Sequence, residues 1–162
     1  MPTPNEVTAK MTAAESRRGD TLGGVPVYMT YLGSAEAFLR GADVLAEKHA
    51  QTAIPHAFLV AHTLECLLKA YVAKRLGGDK ELRKDAKLRH NLQALWARAH
   101  AEGLDVAPIP PGWVSQLSQL HSDPYYLRYS TGVNAIVSPG LQPMMSELQQ
   151  LAVLVRSVVT GV

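Results

Sequence analysis

The chain has 162 residues, 47% hydrophobic and 19% charged, with a net charge of +2; this composition is that of a globular protein with length for one cored domain. It contains no run of ~18 apolar residues, which excludes a membrane-spanning helix of ordinary length. The single cysteine, Cys66, excludes an internal disulfide framework. A net charge this small singles out no class of partner.

Residues 1–24 lack sustained apolar periodicity and contain two prolines and the Gly23-Gly24 pair, so a flexible arm is expected there. The opening stretch MPTPNEVTAKMTAAESRRGD has no apolar core, so no secretory signal is expected and a cytoplasmic location is the default. Residues 25–162 are expected to form a single helical domain.

The first helix is expected from about Val27 to Ala50. Tyr28, Tyr31, Leu32, Ala35, Phe38, Leu39, Ala42, Leu45 and Ala46 follow the three-four spacing of one helical stripe. Gly33 and Gly41 weaken it locally, and each could admit close approach of a neighbouring helix. A second helix follows at Pro55, whose missing N–H suits a first turn. Its stripe is Ala57, Phe58, Ala61, Leu64, Leu68, Tyr71 and Val72, and Gly77-Gly78 ends it. Cys66 lies beside leucines on this helix and reads as a buried, inert thiol.

Residues 79–89 are polar and mostly charged, and read as a loop or one frayed turn. Between Lys69 and Arg98 nine Lys/Arg stand against three acidic residues, so that segment carries +6 and the remainder −4. Such a patch can attract a phosphate-rich partner, or simply be a solvated loop. The third helix is expected from His90 to Glu102, with Leu92, Leu95, Trp96 and Ala99 on its stripe and Gly103 as its stop. LDVAPIPPG is an extended connection. A short helix follows from Gly112 to His121. Residues 122–138 read as an irregular loop, with a hairpin around Thr131-Gly132 as the alternative. The last helix is expected from Pro143 to Val159, with Met144, Leu148, Leu151, Val155, Val158 and Val159 facing inward or toward a partner. Four main helices, a short fifth and little strand signal predict an all-α, up-and-down bundle.

One carboxylate breaks the apolar pattern of the second helix. At ~100° per residue, Glu65 falls about 40° from Ala61, inside the stripe but off its centre. A buried carboxylate must be paired, because desolvation costs several kcal/mol. Lys69, four residues on, is placed to pair with it. Further donors could come from His90, Tyr31 or Arg128. Glu65 can thus be a rim residue that reaches water and pairs with Lys69, a buried polar anchor, or a catalytic or ligand-binding carboxylate. His90-Asn91 opens the third helix and can cap its free N–H groups or donate to Glu65. Tyr125, Tyr126, Arg128 and Tyr129 form a cluster suited to stacking on bases and holding phosphate, with His121 and Asp123 just before it. The same residues could equally form a loop packed by its tyrosines, with Arg128 paired to a carboxylate such as Glu65.

No His pair has the i, i+4 spacing of a helical zinc motif. His62 and Glu65 stand three apart, but their angular offset and the lack of a third ligand argue against a metal. No cofactor is expected, and no phosphate-binding glycine loop is present.

LECLLKAY at 64–71, HNLQALWARAHAEGL at 90–104 and YYLRYS at 125–130 resemble the HEPN domain family (higher eukaryotes and prokaryotes nucleotide-binding). They are similar to its Glu-x-x-x-Lys helix, its His-Asn/Asp-Leu-x-x-Leu helix start and the Arg-Tyr segment before its final helix. The resemblance spans Tyr28 to Val159 in the right order. It implies a bundle of four or more helices, often a homodimer, linked to RNA cleavage, toxin–antitoxin systems, defence or nucleotide binding. Ribonuclease members carry an Arg-x(4–6)-His motif on a later helix. Here that spacing occurs only from Arg83 to His90, and no histidine follows Arg128 or Arg156 at that distance.

The expected function is therefore a non-catalytic nucleotide-, RNA- or protein-binding homodimer. Its candidate ligand-binding residues are Glu65, Lys69, His90, His121, Tyr126 and Arg128. The alternatives are a metal-independent endoribonuclease using Arg83 and His90, and a subunit with a nucleotidyltransferase or antitoxin partner.

Overall fold

The computed structural model describes residues 21–22, 24–129 and 135–162. The hairpin considered around Thr131-Gly132 lies outside them, as does most of the arm expected over residues 1–24. The part of that arm that is described is not an isolated strand: Thr21–Leu22 (β1) pairs antiparallel with Val25–Pro26 (β2).

Among the described residues the architecture is mostly helical. Six α-helices follow in order: α1 (Val27–Ala46), α2 (His49–Leu76), α3 (Lys80–Lys84), α4 (Leu92–Ala101), α5 (Gly112–His121) and α6 (Leu141–Thr160). A single 3-10 turn, Ala86–Leu88, lies between α3 and α4. The segment expected to be a loop or frayed turn is thus a short helix and a 3-10 turn. Leu82 and Leu88 anchor it, 2% and 7% exposed.

The first helix ends four residues before the expected position, at Ala46 rather than Ala50. The chain re-enters a helix at His49, but Thr52 departs from helical geometry with φ −122° and ψ 18°. Its hydroxyl donates to the carbonyls of Leu45 and Lys48. The regular part of α2 therefore starts just before Pro55, where an N–H has no carbonyl to meet, as the proline itself implies. Gly77, at φ 71°, takes the left-handed C-cap, and Lys74 and Arg75 occupy the last turn, where cations complement the exposed carbonyls.

α2 is the centre of the molecule. It packs against α1, α4, α5 and α6. Burial on several sides leaves residues 70–73 consecutively buried, in place of the single stripe read from spacing. Leu64, Leu67 and Leu68 are fully buried, each worth roughly 1.5–3 kcal/mol of transfer free energy. On α6, Met144, Leu148, Leu151, Val155 and Val159 join the same core, whereas Val158 is 40% exposed. No helix is long and apolar enough to cross a membrane among the described residues.

Candidate functional site

Glu65 projects from the buried side of α2 and is 6% exposed, so it is not a rim residue. Its Oε1 accepts from Lys69 Nζ at 2.5 Å. Its Oε2 faces His121 Nε2 at 2.5 Å and His90 Nδ1 at 3.2 Å. Burial alone raises the pKa of this carboxyl. The His121 hydrogen bond and the Lys69 charge overcome it and hold the pKa down at about 2. Glu65 is therefore ionised at neutral pH, and its facing imidazole nitrogens both donate to it, since a carboxylate only accepts.

Each partner reaches Glu65 by a separate local device. Lys69 is one turn along α2 and also donates to the Arg89 carbonyl at 2.7 Å, which clamps the strand of loop leading into His90. The two roles weighed for His90-Asn91 are divided between them. Asn91 Oδ1 accepts the Ala94 N–H at 2.9 Å and caps α4, while His90 donates to Glu65. His121 is the last residue of α5 and is fully buried.

Tyr31 and Arg128 do not reach Glu65. The Tyr31 hydroxyl donates to Asp79 at 3.1 Å, and Asp79 also pairs with Arg83 at 3.2 Å. Arg128 lies instead with Nη2 3.5 Å from His62 Nε2 and its guanidinium over the Tyr125 ring. Arg83 is thus committed to a different cluster from His90. Tyr126 makes no described side-chain contact with the Glu65 group. Its neighbour Tyr125 packs edge-on against His90, with centroids 5.6 Å apart. Tyr125 holds φ 63°, a left-handed backbone unusual for an aromatic residue.

Above this network lies a polar cleft of about 360 Å³, lined by Lys87, Arg89, His90, Asn91, Asp123 and Tyr125 among others. His90 belongs to both regions. Its Nδ1 is held from below by Glu65, and its Nε2 has no hydrogen-bond partner among the described residues. The neutral ring therefore keeps a lone pair at Nε2 and, when protonated, a donor there. Lys87 and Arg89 supply fixed positive charge beside it. Such an arrangement can receive a phosphate and can exchange a proton with a ligand atom.

The spacing of the sequence named Asn91 as a helix cap but did not single out Lys87 or Arg89 within the charged segment, nor Tyr125 over Tyr126. It also left His62 aside. That ring packs edge-on against His121 at 4.8 Å and against Phe58 at 4.4 Å. A separate groove of about 370 Å³, lined by Trp96, Val106, Ile109, Leu151 and Leu154 among others, is mostly apolar. No family model matches the chain, no curated protein is similar to it, and no solved structure matches its fold.

Proposed function

We propose that this chain is a HEPN-like helical module that binds a nucleotide or RNA through its phosphates at the cleft over His90. The observation that carries the reading is the position of His90, oriented by the ionised Glu65 and flanked in the cleft by Lys87 and Arg89. Glu65 fixes the tautomer and the ring plane, so the face offered to a ligand is preorganised. Tyr125 packs against the same ring and offers an aromatic surface for a base. The protein-only alternative, a partner-binding surface without phosphate recognition, predicts no RNA or nucleotide binding that depends on this cleft.

The test is fluorescence anisotropy with a labelled single-stranded RNA, competed with ATP. Lys87→Ala with Arg89→Ala should weaken binding at least tenfold at low salt. The slope of log affinity against log salt should fall by roughly 0.7 per lost phosphate contact. Equal affinity in the double variant rejects this cleft as the site.

A second reading is favoured by the Glu65–His90 contact itself. A carboxylate on Nδ1 leaves Nε2 able to act as general base and then acid, as a metal-independent endoribonuclease requires. Cleavage that disappears in His90→Ala and persists in Arg83→Ala supports it, since Arg83 is engaged by Asp79. No cleavage by the wild type rejects it. The module is further proposed to be a homodimer, the motive being an apolar last helix that leaves Val153 and Val158 exposed. Light scattering that finds only monomer at micromolar concentration removes that part.

A further inference from the structure

We propose that His62, Glu65 and His121 form a binding site for a divalent transition-metal ion of the zinc class. The ligand atoms of all three lie within 4.8 Å of one another. Tetrahedral zinc with bonds of about 2.1 Å needs neighbouring ligands roughly 3.4 Å apart, so side-chain adjustments of about 1 Å suffice. His62 and Glu65 are three residues apart on α2 and share a face. His121 comes to them from the end of α5, across the helix packing. A helical His/carboxylate pair met by a donor from a facing helix is how bundles build metal centres in their cores.

Hydrogen bonding leaves nitrogen capacity unused in this cluster. His121 is 1% exposed, yet its Nδ1 has no partner. Among the described residues, the one hydrogen-bond contact of His62 Nε2 is with the Arg128 guanidinium, at 3.5 Å, longer than a good hydrogen bond. Arginine only donates, so His62 Nε2 faces it with a lone pair. Burial, and then the neighbouring His121, push the His62 pKa down to about 4, so protons do not compete for that lone pair at neutral pH.

Two nitrogens and one carboxylate oxygen select a borderline ion such as Zn²⁺ or Co²⁺ over Mg²⁺ or Ca²⁺, which take oxygen ligands. Lys69 occupies Oε1, while Oε2 accepts from His121 and His90; once the His121 proton has left, one lone pair of Oε2 can bind the ion while His90 keeps donating to the other, an orienting contact of the kind metal ligands commonly have. The Phe58 and Phe38 rings pack on His62 at 4.4 and 5.4 Å and restrict its orientation. Binding requires the proton that His121 Nε2 shares with Glu65 to be replaced by one on Nδ1, so that the neutral imidazole ligates through Nε2, and requires Arg128, an exposed side chain, to swing off His62. Three protein ligands leave a fourth position for water.

The experiment is a Co²⁺ titration of chelator-treated full-length protein, followed by visible absorption, with Zn²⁺ as competitor. The expected result is one equivalent of Co²⁺ giving the intense bands of a four- or five-coordinate site. Zn²⁺ should abolish these bands and raise Tm. His62→Gln, at a half-buried position and checked for fold by circular dichroism, should lose the bands. His49→Gln, in the separate His49–His56 pair, should keep them. The Lys87→Ala, Arg89→Ala protein should also keep them, which separates this site from the phosphate cleft. Absence of bands in the wild type overturns the proposal. Bands that survive His62→Gln, or that vanish in His49→Gln, overturn it equally.

Discussion

Glu65 receives Lys69, His90 and His121 together. Removing it leaves a largely buried ammonium without its counter-charge and a fully buried imidazole without its acceptor. Glu65→Ala should therefore cost about 3–5 kcal/mol, the range for breaking a buried ion pair, read by urea unfolding at pH 7 with chelator present. A loss below 1 kcal/mol means that water replaces the carboxylate freely. Tyr31 gives a pH-dependent counterpart. Burial first, and then the Asp79 carboxylate, raise its pKa well above the usual phenol value. The folded form thus keeps its proton after the unfolded form has lost it. The resulting stabilisation is complete below about pH 10, the ordinary tyrosine value, and is lost as pH rises beyond it. In an alkaline spectrophotometric titration, Tyr31→Phe should lack one late-titrating phenol. Loss of an early-titrating phenol instead contradicts the buried contact. Of these contacts, Lys69–Glu65 is legible in the chain because four residues make one helical turn. His121, 56 residues away, is not, because only the packing of α5 on α2 brings it near.

At the scale of elements, two glycines of α1 differ in kind although the sequence suggested one role for both. A Cβ on Gly41 would meet Leu59 Cδ1 at 3.0 Å, which marks a close approach of α2, whereas a Cβ on Gly33 meets nothing within 4 Å. Gly33→Ala should stabilise the protein by about 0.5–1 kcal/mol, through the helix propensity of alanine alone. Gly41→Ala should gain less, since Leu59 must move, and thermal unfolding of the two variants side by side measures the difference. Equal gains mean that the Leu59 contact carries no cost. Helix ends follow local chemistry closely: Pro55 and Gly77 bound the regular part of α2, and Asn91 caps α4. The exceptions are Thr52, whose hydroxyl reaches back to Leu45, and the 79–89 segment. Buried leucines fold that segment into short turns although its charge pattern suggested a loop.

For the whole molecule, α2 threads the core and touches four other helices, so no pair of helices has a core of its own. Unfolding should be a single transition. Tryptophan fluorescence, which reports Trp96 on α4 and Trp113 on α5, should coincide with circular dichroism along a urea curve. Trp113 also ties α5 to α6 through Glu147 at 2.6 Å. Separate midpoints would mean that the α4–α5 side opens by itself. The amino-acid sequence by itself determined the helical class, the run of the long helices and the need for a partner at Glu65. These follow from apolar spacing, from glycine and proline, and from the cost of burying charge, all of which act over one or two turns. Only the tertiary structure decided that His90 and His121 share that carboxylate, that Arg83 belongs to Asp79, and that His62 completes a three-donor cluster. Those pairings join side chains far apart along the chain, and the packing of the helices around α2 selects them.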